Sequence, residues 1–155
     1  AFVAAFTIEI GGGSGADGMV FLFLDESDPT VITDCTGGSC LGAYGLSGYG
    51  VEFDTFSSSQ YGDPNGNHLS IVDTADLSIY SSDTTIAELS NGGEYDVEVH
   101  YDSGDIDVYF DGSLSMSTTL SDYALEEILF GFSAATGGLA DAHMVRSFSL
   151  DVCAK

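Results

Sequence analysis

In the first ten residues, AFVAAFTIEI, every second position is apolar: Phe2, Ala4, Phe6, Ile8 and Ile10. A period of two puts these side chains on one face only if the chain is extended, because successive residues of a strand point to opposite sides. The pattern returns in EYDVEVHYD, where Tyr95, Val97, Val99 and Tyr101 face one way and Asp96, Glu98 and His100 the other. DIDVYF follows after a Ser-Gly turn, so residues 94–111 are predicted to form a hairpin. HMVRSFSLDV alternates again, with Met144, Arg146, Phe148, Leu150 and Val152 on one side, and His143, like His100, is expected on a strand surface. MVFLFL (19–24) and ILFGFS (128–133) are unbroken apolar runs, the pattern of strands covered on both faces. Only DYALEEIL (122–129) suits a short helical turn.

Alternating faces of this kind have to be buried against one another, which predicts an all-β chain folded as an antiparallel β-sandwich or jelly roll of about eight to ten strands. The 155 residues read as a single domain, 1–155, with no repeat or linker, and 44% apolar residues are enough for a core. Twenty glycines against two prolines supply the turns. No apolar run reaches the eighteen or so residues needed to span a membrane. The opening residues lack a basic segment and an initiating Met, so they are not an intact signal peptide; the chain reads as a processed product or a module of a larger extracellular protein. Gly11, Gly12 and Gly13 are expected to form a turn and not a phosphate loop, since neither a lysine nor a helix follows.

Charge narrows the partners. Twenty-five acidic residues face only Arg146 and Lys155, for a net charge of −23. Such a surface repels nucleic acid and anionic lipid and attracts cations. Cys35 and Cys40, in CTGGSC, are placed to close a small disulfide ring, while Cys153 is left over. A disulfide would indicate an extracellular or cell-surface location; three free thiols are the other reading, and a single Cys-x4-Cys pair is too little for zinc.

The stretch VEFDTFSSSQYGDPNGNH (51–68) concentrates the candidate chemistry. Alternation sets Glu52 and Asp54 on the same face of one strand, about 7 Å apart at Cα. Two carboxylates held that way repel unless a cation or a proton lies between them. The loop that follows returns Asp63 and then His68. Carboxylates with backbone carbonyls suit Ca2+, and an added imidazole suits Mn2+ or another divalent transition metal. Asp54 and Asp63 are the residues able to bridge two ions.

The same stretch resembles the metal loop of the L-type (legume-like) lectins, Glu-x-Asp-x-aromatic-x-Asn, then Asp-Pro, then His. GADGMVFLFL, GGSCLGAYG, GFSAATGG and HMVRSFSL resemble further blocks of that family, in family order and over nearly the whole chain. The resemblance implies a concanavalin A-like lectin fold that binds glycans of mannose/glucose or galactose type. It implies that Glu52, Asp54, Asp63 and His68 hold the manganese-type ion, with Ser78 as a water-mediated ligand. Asp54, Asp63, the Phe56 carbonyl and the side chain of Ser58 would hold calcium. Asp17, after a cis Ala16–Asp17 peptide, would accept sugar hydroxyls. Gly38, Gly138 and Leu139 would offer backbone N–H groups, and the Phe56 ring would stack on the sugar. Two departures stand out. Ser58 replaces the family's Asn, a shorter ligand with no amide N–H to give, so that water, Asn65 or Asn67 would have to compensate. The family's N-terminal strands, one or more, have no counterpart in this sequence, so another polypeptide segment is expected to cover the face they leave, with Cys153 belonging to that piece.

A β-sandwich glycoside hydrolase would need a further carboxylate on the same strand as the general acid, and Ser57 stands there. No Gly-x-Ser-x-Gly elbow occurs either. The expectation is therefore a non-catalytic, calcium-dependent lectin domain. The alternative is a structural module of an extracellular assembly or adhesin that keeps the fold and binds sugar weakly or not at all.

Overall fold

The computed structural model describes residues 1–26, 37–120 and 127–153. Ten strands are found among them: β1 (Phe2–Gly11), β2 (Gly18–Asp25), β3 (Gly48–Asp54), β4 (His68–Asp73), β5 (Ile79–Asp83), β6 (Glu94–Asp102), β7 (Asp105–Phe110), β8 (Ser113–Thr119), β9 (Ile128–Ala135) and β10 (Ala142–Val152). They form two five-stranded sheets, ordered β10-β1-β6-β7-β8 and β5-β4-β3-β2-β9, with every pair antiparallel. The sandwich expected from the alternation is what forms, including the β6–β7 hairpin. The helical turn expected at 122–129 lies mostly outside the described residues, and Ile128 and Leu129 belong to β9.

Aromatic rings fill the space between the sheets. Phe6 of the first sheet meets Phe21, Phe53 and Phe132 of the second at centroid distances of 5.0, 6.0 and 5.1 Å. Phe21, Phe23 and Phe53 are wholly buried, each worth roughly 1.5–3 kcal/mol relative to exposure. A second, smaller core of Val20, Leu22, Leu41, Leu46, Val72 and Leu77 lies on the outer face of the second sheet, beneath the 40–47 segment. This explains why MVFLFL is apolar at every position: β2 is covered on both sides.

Two expectations are corrected. β9 is not covered on both faces; it is the edge of its sheet and only partly buried. The single alternation expected over 144–152 is broken by a β-bulge, since Ile8 pairs with Val145 and Thr7 with Ser147, leaving Arg146 as the extra residue. Its guanidinium Nε donates to Glu9 Oε2 at 2.7 Å on the outer surface. The bulge reverses the phase, so Phe148, Leu150 and Val152 pair with the inward-facing Phe6, Ala4 and Phe2, whereas Met144 pairs with the outward Glu9.

One flank of the sandwich is closed where β5 meets β8, with Ser115 Oγ donating to Asp83 Oδ2 at 2.6 Å. Among the described residues the opposite flank ends in the unpaired edges of β9 and β10, and there Leu129, Val145, Phe148 and Val152 are exposed. Cys40 is disulfide-bonded; Cys35, its expected partner, lies outside the described residues. Cys153 is free and exposed. Among the described residues no helix is long and apolar enough to cross a membrane.

Candidate metal and ligand site

The strand register assembles the site at one end of the second sheet. Asp54, the last residue of β3, pairs with Gly18 on one side and His68 on the other. Asp17 therefore sits next to the acidic cluster across one strand pair, and its carbonyl accepts the Thr55 N–H at 2.9 Å. Gly18 has φ +144°, and a Cβ there would stand 2.4 Å from the Phe53 carbonyl oxygen, so only glycine permits this close pairing. The Ala16–Asp17 peptide is cis, as the family resemblance implied.

Glu52, Asp54, Asp63 and His68 converge with one ligand atom each, all within 4.8 Å of one another. That spread fits donors arranged around one cation at about 2.1–2.5 Å. His68 is wholly buried. Its Nδ1 lies 3.0 Å from the Asn65 carbonyl and must donate to it, which leaves Nε2 as an unprotonated acceptor. That nitrogen is enclosed and has no hydrogen-bond partner among the described residues, as expected of a metal ligand oriented by its other ring nitrogen. Burial lowers the His68 pKa, against an opposing pull from Asp63, and so favours the neutral, ligating ring. Glu52 and Asp54 are raised, first by burial and then by neighbouring carboxylates, Asp63 acting on Glu52 and Glu52 on Asp54. Asp63 is raised by burial, although the Ser58 N–H donating to its Oδ2 at 2.5 Å works the other way. Two buried carboxyls and one half-buried carboxyl, all pushed toward protonation beside an orphaned imidazole nitrogen, are what a divalent cation would relieve. The donor set therefore fits a metal.

The remaining expected ligands divide. The Phe56 N–H donates to Asp54 Oδ1 at 2.6 Å, and its ring is 43% exposed, outside the core. Ser58 is tied to Asp63 through its backbone. Asn67 is not free to replace the missing Asn, because its side chain bonds Ala87 O at 3.2 Å and Leu89 N–H at 2.8 Å. The Asn65 side chain accepts the Asn67 N–H at 2.9 Å. Ser78 is not brought to the cluster. Its N–H bonds Asp76 and its carbonyl bonds Asp73, at the far end of β4, some three to five residue rises or about 10–17 Å away. The serine opposite Glu52 is Ser70, buried and bonded to Ser82 at 3.0 Å.

Around Asp17 three loops meet. The Asp17 carboxylate lies so close to Gly38 that a Cβ there would sit 1.7 Å from Oδ2. Gly38 is thus required for its lack of a side chain. In the last loop Gly137 lies against Asp17, where a Cβ on it would be 3.1 Å from Oδ2. Leu139 is 41% exposed beside it, and its carbonyl accepts the Gly137 N–H at 3.0 Å. Gln60 Nε2 reaches Ser39 Oγ at 3.4 Å, linking the metal loop to the 37–40 loop.

Sequence reasoning missed Asp141. Its Oδ1 accepts the Gly13 and Gly15 N–H groups at 3.0 and 3.3 Å, and its Oδ2 accepts the Ser90 hydroxyl at 2.5 Å. One buried side chain thereby pins the strand-joining loop that delivers Asp17 to the loop that carries Gly137. Nothing in an Asp-rich sequence marked it out. Replacing Asp141 with Ala is expected to lower stability by about 1–3 kcal/mol through the unpaired donors it leaves, with the metal cluster intact. Thermal melting beside a metal titration checks both parts.

A family model described as "Legume lectin domain" matches residues 1–155. The galactose-binding lectin of Arachis hypogaea is 31% identical over 166 residues, covering 96% of this chain and 59% of that protein. The L-type lectin-domain containing receptor kinase VII.1 of Arabidopsis thaliana is 30% identical over 159 residues, covering 85% of this chain and 23% of that protein. Among solved structures, peanut lectin with 9mer peptide superposes with a TM-score of 0.77 at 29% identity, over 98% of this chain and 72% of its own. The chain spans about three fifths of one of these curated relatives and under a quarter of the other.

Proposed function

Because the chain belongs to the legume lectin domain family, a carbohydrate-binding family and not an enzyme family, we propose that it binds glycans in the hollow bordered by Asp17, Gly38 and the 136–139 loop, and that divalent cations are required for this. The observation that carries the reading is the buried cluster of Glu52, Asp54, Asp63 and His68, one strand pair away from Asp17. A bound cation would neutralise the carboxylates and rigidify residues 54–68. Ca2+ and Mn2+ are the ions that suit this mixture of carboxylates and imidazole. This chain's residues do the rest: Asp17 accepts sugar hydroxyls, the exposed Phe56 ring covers an apolar sugar face, and Asp141 holds the two flanking loops together before the ligand arrives. Galactose is named for one relative, and mannose-type glycans are the other class to test.

A glycan array run with calcium and manganese and repeated in EDTA tests the reading, which fails if binding survives chelation. Asp17→Ala is expected to lose sugar at least about tenfold while metal affinity stays within about twofold, as removal of a ligand-only hydrogen-bonding carboxylate requires. Parallel calcium and sugar titrations separate the two.

A second reading is favoured by Ser58 and by the open β9–β10 flank: a structural module in which metal serves rigidity. A blank array beside a metal-dependent melting shift would support it. In either case we propose that another polypeptide segment pairs with the free β9 and β10 edges and covers Phe148 and its neighbours. The acidic surface and the disulfide at Cys40 support an extracellular or cell-surface setting.

A further inference from the structure

Behind Asp17 stands a residue that no expected role accounts for. His143 pairs with Ile10, whose side chain is 1% exposed, and so turns into the space between the sheets at the end where the 12–17 and 136–141 loops meet. Counting back by twos from the inward Phe148 would place His143 outside; the bulge at Arg146 turns it in. Its Nε2 is enclosed by protein and has no hydrogen-bond partner among the described residues. Asp17 Oδ2 is also enclosed and without one among them, while the Gly137 N–H acts on the same carboxyl group. Buried polar atoms left unpaired are rare in folded proteins and call for a partner, and a ring N–H and a carboxylate oxygen are of complementary type.

The charged groups facing the imidazole are few. Asp141, on the adjoining loop, and Asp17, across from it, are the two carboxylates that act on it electrostatically. Asp141 is already occupied by two backbone N–H groups and the Ser90 hydroxyl. Glu9 and Arg146 pair with each other on the outer side of the sheet. Of the two carboxylates that act on the ring, Asp17 is the one left to accept its N–H.

We propose that His143 is a positioning residue for Asp17: its Nε2–H, through one bridging water, holds the inner oxygen of the Asp17 carboxylate and so fixes the plane in which that carboxylate meets a sugar hydroxyl. A neutral ring suffices, and burial keeps it neutral near pH 7. The sugar part of this inference rests on the glycan-binding reading above; the link between His143 and Asp17 does not.

The test uses the full chain loaded with calcium and manganese, with methyl galactoside and methyl mannoside as probes. His143→Leu is expected to weaken the glycoside that the parent binds by about tenfold at unchanged metal content, and His143→Gln, which returns an N–H, to restore it to within about threefold. In sugar-free protein the ring of His143 is followed by NMR across pH, with the surface His100 as internal reference. Asp17→Asn is expected to move the His143 titration to lower pH and to leave His100 in place. If His143→Leu binds as the parent does, or if Asp17→Asn leaves the His143 titration unmoved, the proposal is overturned. Should the parent bind neither glycoside, the glycan reading fails for these sugars, and the NMR comparison alone decides the link. A His143→Leu variant that does not fold leaves the Gln variant and the NMR comparison to decide.

Discussion

Asp54→Asn is expected to abolish metal binding and to reduce glycan affinity by at least about 100-fold, since it removes a ligand at the centre of the cluster. Asp54 is the residue through which the two halves of the site communicate. Its side chain belongs to the metal cluster, its backbone pairs with Gly18, and its Oδ1 holds the Phe56 N–H. The same substitution should make the metal-free protein more stable above neutral pH, because it removes one of three crowded carboxylates, and a buried one. Loss of function with a gain in apo stability separates this from simple misfolding. A variant that unfolds, or that retains its metal by elemental analysis, would sink the assignment.

The second large effect is a pH dependence that reverses on adding metal. Burial and mutual repulsion push Glu52 up to about 7 and Asp54 up to about 9. A carboxyl raised in the folded state takes up a proton on folding, so its contribution to stability is present at low pH and is lost as pH rises through the folded value. The lowered His68 and His143 act in the opposite sense below about pH 6.5, which leaves the fall cleanest between pH 7 and 9, where Asp54 dominates. Metal-free protein should lose on the order of 1 kcal/mol per pH unit there, seen as a melting temperature that falls by several degrees across the window. Saturating calcium and manganese, which bind the deprotonated ligands, should flatten the slope, so that the cation-induced melting shift grows with pH. The −23 surface charge contributes with and without metal alike, and comparing the two conditions cancels much of it. A metal-free melting temperature that is flat or rising from pH 7 to 9 would contradict the buried-carboxylate account, and Asp54→Asn should remove the slope.

Much of the site was legible because its spacing is local. Glu52 and Asp54 share a strand face by parity alone, and Asp63 and His68 follow within one loop. Residues such as Gly137, Asp141 and His143 were not legible, for three separate reasons. Gly137 depends on how far the last loop reaches toward Asp17. Asp141 is one of many aspartates, distinguished only by the three donors folded around it. His143 was assigned to the wrong face because a bulge at Arg146 inserts one residue into an otherwise regular alternation. Ser78 fails by distance: counting ten residues past His68 ignores where β4 turns and which residue faces Glu52.

The sandwich and the four candidate metal donors were readable from residue order, since a period of two and a short acidic loop act over a few residues, where chain geometry leaves little choice. Which distant loops close over Asp17, which edges stay open and which way His143 points were set by the folded arrangement of the whole sandwich. Those outcomes depend on contacts between segments more than a hundred residues apart, such as Gly13 with Asp141 and Ile10 with His143, where one inserted residue reverses the face a side chain presents.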